Sequence, residues 1–139
     1  MVEKGIQARL LTEASFGEMD IYFGVNPNLN QSSALAFRDY IVHFRLGTEP
    51  HDTKTGRSQL DEVSYQVNIF ASNAVNLSNY AETVRGNLDR YSGTAGDVVI
   101  QSIQFENQVS MFDYEDTYNK KGIYQMVQYY KIRTEPQYQ

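Results

Sequence analysis

The chain has 139 residues, 41% of them hydrophobic, which is enough for one core and too short for two; it reads as a single domain over 1–139, with its core in about 20–133 and a flexible end at 134–139. Seventeen acidic against twelve basic residues leave a formal charge of −5, so the molecule as a whole repels phosphate and lacks the footprint of a nucleic-acid binder. With no cysteine there is no disulfide framework and no thiolate metal site, and no stretch approaches the roughly 18 apolar residues of a membrane span.

In chain order, Ile6, Leu10 and Leu11 fall near helical spacing and predict a short first helix over 6–13 that Gly17 would end. No apolar run follows a basic N-terminal region, which predicts a soluble, unprocessed chain. Ile21-Tyr22-Phe23 reads as a short strand, and Gly24-Val25-Asn26-Pro27-Asn28 opens a polar loop to about Asp39. Over 40–46 the residues alternate, with Tyr40, Val42, Phe44 and Leu46 on the apolar face and Ile41, His43 and Arg45 on the other. A long polar loop is expected from Gly47 to about Leu60. Alternation resumes with Val63, Tyr65, Val67, Ile69 and Ala71, a second long strand.

Ala74, Leu77, Ala81, Val84 and Leu88 recur at steps of three and four, which draws one apolar stripe along a helix over about 74–90. Asn79, Glu82, Asn87 and Asp89 occupy its polar side, Ser72 or Asn73 can cap its start, and Gly93 marks the exit. Burying that stripe stabilises by up to about 1.5 to 3 kcal/mol per large aliphatic. Val98-Val99-Ile100 and Ile103-Gln104-Phe105 form a strand whose phase shifts near Gln101-Ser102, as a bulge requires. Residues 111–116 read as an exposed acidic-aromatic loop ending near Gly122, and 123–133 as a closing strand, apolar on both faces in places. The sum is an α+β fold: a mostly antiparallel, mixed sheet of four to five strands against one long amphipathic helix and a short N-terminal helix. Its predicted core includes Val42, Phe44, Val67, Ile69, Leu77, Val84 and Leu88.

A search for chemistry yields little. His43 lies on the polar face of its strand and reads as a surface residue, while His51 lies in the long loop, where contact is a better reading than catalysis. No nucleophile elbow, zinc-helix pair, dinucleotide turn or Walker-type loop is present, and 53–57 lack the spacing and setting of a phosphate cradle. Asp113, Glu115 and Asp116 match no calcium loop and read as a solvated turn, and Met126, Tyr129 and Tyr130 as core or interface. No catalytic residue, metal site or cofactor is expected, and the chain is not read as an enzyme.

Three stretches carry a resemblance. Val63-Ser64-Tyr65-Gln66-Val67-Asn68-Ile69-Phe70-Ala71, followed by the helix ending Ala81-Glu82-Thr83-Val84-Arg85-Gly86-Asn87-Leu88, resembles the hydrophobic strand and "A-x-x-V-R-x-x-L" helix of the phage tail-completion family, which includes siphophage tail terminators. Ile21-Tyr22-Phe23-Gly24-Val25-Asn26-Pro27 is similar to that family's entry strand, and Phe112-Asp113-Tyr114-Glu115 through Gly122-Ile123-Tyr124-Gln125 to its loop and closing strand. The resemblance implies a virion protein, assembled in the host cytoplasm, whose copies form a hexameric ring that ends the tail tube and meets a neck or head-completion protein, with DNA sliding through unbound. The loops around Asp52, Lys54 and Arg57 and around Phe112, Asp113 and Glu115 are the candidate interfaces, with plain solvated loops as the alternative. A neck or head-tail adaptor of a tailed phage is the alternative function, and a monomeric host ligand-binding module a further one.

Overall fold

The computed structural model of the protein describes residues 2–13, 16, 19–24, 39–50, 61–114 and 122–134. In chain order the elements are α1 (Val2–Leu11), β1 (Asp20–Phe23), β2 (Tyr40–Pro50), β3 (Asp61–Ala71), α2 (Ala74–Leu88), β4 (Gly93–Ala95), β5 (Val98–Tyr114) and β6 (Gly122–Thr134). The strands form one six-stranded sheet in the order β1-β2-β3-β6-β5-β4. Every pair is antiparallel except β1 with β2. The sheet is mixed as the sequence implied, but it has six strands where four to five were expected. The extra strand is β4, too short to show alternation; Gly96 and Asp97, at φ +53° and +65°, join it to β5 through a two-residue turn with both residues left-handed.

Burial along β3 alternates strictly, with Val63, Tyr65, Val67, Ile69 and Ala71 inward. That face receives both helices. On α2, Leu77, Ala81, Val84 and Leu88 are buried, and the Asn73 side chain accepts the Asn76 N–H at 2.8 Å as the N-cap. The helix stops at Leu88, short of 90, because its C-cap Asp89 is already extended at ψ 131°, and Arg90 at φ 65° then takes the left-handed turn that Gly93 was expected to supply. Asn87, placed by periodicity on the polar side, is buried, and its backbone carbonyl accepts from Arg9 of α1 at 2.8 Å.

The first helix begins at Val2, ahead of the expected 6–13, because the stripe of Ile6 and Leu10 extends one further step back; all three are fully buried. With the 15-residue α2 it makes a two-helix layer in place of one dominant helix. α1 lies close to the β4–β5 turn: a Cβ on Gly5 would stand 3.2 Å from the Ala95 carbonyl, and one on Gly96 2.7 Å from that of Lys4.

On β2 the expected orientation is reversed. Ile41 stands opposite Ile69 and His43 opposite Val67, and cross-strand partners share a face, so Ile41 and His43 point to the helices. Val42 is buried on the opposite face, on the same side as the Tyr40–Phe70 stack (4.5 Å between centroids), and Phe44 is only half-buried. Leu46 sits at the irregularity between Arg45 and Gly47 and is 52% exposed.

The strands also outrun their predicted ends. β2 continues through Pro50, so only 51–60 of the expected 47–60 loop remain, and these lie outside the described residues. β5 continues to Tyr114 through what read as an acidic loop, because its hydrogen-bonding partner β6 begins at Gly122. Thr134, expected to fray, is buried and donates to the Val99 carbonyl at 3.0 Å. β5 is irregular between Ile100 and Ser102, where a bulge was expected, and again between Phe105 and Asn107.

Candidate functional site

The described residues hold one buried cluster of titratable groups, where α1 crosses β1, β2 and β3. Glu3 and Gln7, one helical turn apart, face Arg45 and His43, two residues apart on β2. Arg45 grips the Glu3 carboxylate with two bonds, Nε at 3.0 Å and Nη2 at 2.6 Å. His43 is fully buried, with Nε2 2.5 Å from the Gln7 Oε1 and Nδ1 2.6 Å from the Tyr65 hydroxyl. Because the amide oxygen can only accept, His43 donates from Nε2 and receives the tyrosine proton at Nδ1, which defines the neutral ring. The Gln7 amide nitrogen in turn donates to the Ile21 carbonyl of β1 at 3.1 Å.

Burial pushes His43 down to about 4, against a weaker upward pull from Glu3. Burial and then the Glu3 charge push Tyr65 well above the usual phenol range. For Glu3 burial raises the carboxyl, but the Arg45 hydrogen bonds and charge outweigh it and hold it below its ordinary value. The reading of His43 as a surface residue is therefore corrected: its face of β2 is the covered one. Both ring nitrogens are committed, so the cluster pins α1 to the sheet and leaves no lone pair for a substrate. No group of three His, Asp or Glu residues able to hold a metal occurs among the described residues.

A second region is exposed. Along β5 every residue of 106–111 is exposed although the segment is strand, and Val109 and Met111 are among the large exposed apolar side chains, together with Leu11, Phe23, Leu46 and Val75. Of the predicted interface residues, Phe112 and Asp113 lie in the β5 backbone opposite Tyr124 and Ile123, whereas Asp52, Lys54, Arg57 and Glu115 lie outside the described residues. Tyr130 is core, its hydroxyl donating to the Gln128 Oε1 at 2.8 Å; Met126 and Tyr129 are half-buried. Sequence reasoning missed the strand segment at 106–111, although the weak alternation of Asn107, Val109 and Met111 is its trace.

No family model matches the sequence, and no curated protein matches it. The fold does have a solved counterpart. A chain from the virion of a native gene transfer agent (GTA) particle superposes with a TM-score of 0.68 at 11% identity, over 97% of this chain and 95% of that one. The likeness therefore shows a fold shared from end to end.

Proposed function

We propose that the protein is a structural virion subunit of a tailed phage-like particle, a tail terminator whose copies form a ring that ends the tail tube and offers its other face to the neck. The end-to-end fold likeness to a chain of the GTA virion carries this reading, because so complete a superposition leaves little of either chain for an unrelated domain. The tail-completion resemblance of the β3–α2 segment supports it independently. So does the buried titratable cluster found among the described residues, which holds α1 in place and has both ring nitrogens of His43 engaged.

The mass of the purified protein in solution, with negative-stain images, tests the ring, and incubation with headless tail tubes tests the terminator role. A closed ring that binds one tube end and halts its growth is expected. A ring that ignores tubes and binds heads would turn the assignment to the neck adaptor. A monomer at every concentration, inert toward tubes, would overturn the proposal.

A further inference from the structure

Cross-strand pairing places β1 and the distal part of β5 at one height of the sheet. Tyr22 lies beside Val42, Val42 opposite Asn68, Asn68 opposite Val127, and Val127 opposite Val109. One step along, Phe23, His43, Val67, Gln128 and Gln108 form the adjacent row. β1 ends the sheet on one side, and β4 on the other pairs only with Val98, Val99 and Ile100. Among the described residues, both rows thus end on strands with no further strand beside them.

The main-chain phases of these two edges are complementary. The Gly24 N–H donates to the His43 carbonyl, which turns the alternate residues Ile21 and Phe23 away from β2; the outward Ile21 carbonyl accepts from the Gln7 side chain with one of its two lone pairs, which leaves the other for a strand. On β5 the Phe105 N–H faces outward to the Asp89 carboxylate. The irregularity between Phe105 and Asn107 shifts the phase by one, so Gln108 and Ser110 face outward, and the Gln108 N–H meets only the neighbouring Asn107 side chain. Three antiparallel pairs separate β5 from β2, so β5 runs against β2 and against β1, which is parallel to β2.

We infer that β5 of one copy of this chain adds antiparallel to β1 of the next, Gln108 opposite Phe23 and Ser110 opposite Ile21, carrying one sheet from subunit to subunit. The inference deepens the ring reading and rests on it. Two different edges meet, so the contact is heterologous; because they lie at one height, the pairing adds no offset along the strands from copy to copy, a condition that closure into a ring requires. Pairing covers Phe23, 53% exposed, and Val109, 43% exposed, at the two ends of the sheet. The β5 segment Glu106-Asn107-Gln108-Val109-Ser110-Met111 carries no Lys or Pro, residues that commonly guard an edge strand against pairing.

The chain has no cysteine, so a crosslink reports the contact directly. Tyr22 and Val109 would form a non-hydrogen-bonded pair, whose Cα atoms lie about 4.5 Å apart, within the span of a disulfide. An oxidised mixture of Tyr22→Cys and Val109→Cys proteins should yield a covalent dimer, and neither protein alone should. Ser110→Pro, which removes an outward N–H but leaves the β6 ladder intact, should give a monomer with the parent's circular dichroism. Self-dimers of Val109→Cys, or rings of Ser110→Pro like those of the parent, overturn the pairing. A parent ring whose mixed cysteine proteins fail to crosslink overturns the pairing alone, and a parent that never assembles overturns the ring as well.

Discussion

At His43, neutrality is built in by position. The folded protein holds the ring uncharged down to about 4, whereas the unfolded chain takes up a proton near the ordinary value of 6.5. The stability this site contributes is complete above about 6.5 and is lost as pH falls toward 4, to a total on the order of 3 kcal/mol. The depressed Glu3 carboxyl acts in the same direction at still lower pH, since its contribution is lost as pH falls below its ordinary 4.5. Urea midpoints measured from pH 7 to pH 4 should therefore decline steeply. In His43→Phe the decline between 6.5 and 4 should flatten while stability at pH 7 drops, because the Gln7 oxygen and Tyr65 hydroxyl lose their partner. A parent midpoint indifferent to pH across this window would contradict the neutral, buried ring. His43 was misread because a polar residue alternating with apolar neighbours reads as solvent-facing; only Gln7 and Tyr65, 36 and 22 residues distant, make its burial tolerable.

Elements with a single period were legible. β3 and α2 carry their burial pattern in the sequence itself, since each presents one face to one core. On α2 this separates two aliphatics at opposite ends of the helix: Leu88→Ala should cost about 2 to 5 kcal/mol, while Val75→Ala, at a side chain 70% exposed, should stay within about 0.5 kcal/mol. Thermal melts of the two variants check this, and equal losses would contradict the helix orientation. β4 left one signal, Gly96-Asp97 between Ala95 and Val98, a pair suited to a two-residue turn with both residues left-handed. The reach of β2 past Gly47 and of β5 past Phe105 left less, because polar residues there are held in strand by hydrogen bonds to β3 and β6 that composition does not announce.

For the whole molecule, charge and assembly act together. Each copy carries −5, so the proposed ring would multiply like charge and gain nothing from counterion release on meeting DNA. Duplex DNA should not be retained by the purified protein at physiological salt in a filter or gel-shift assay; tight binding there would contradict the proposed free passage of DNA. Of the interface candidates chosen for loop length and polarity, Asp52, Lys54, Arg57 and Glu115 lie outside the described residues and Phe112 and Asp113 continue β5, while the exposed run at 106–111 also sits in strand. By itself the sequence determined the class of fold, the single apolar stripe of α2 and the inward face of β3, because side-chain periodicity within one element decides which residues avoid water. Only the tertiary structure decided which face of β2 is covered, that His43 is interior, and that β1 and β5 end one level of the sheet. Register and strand order are relations between segments far apart in the chain, set by whichever partner satisfies the backbone and buries the shared face.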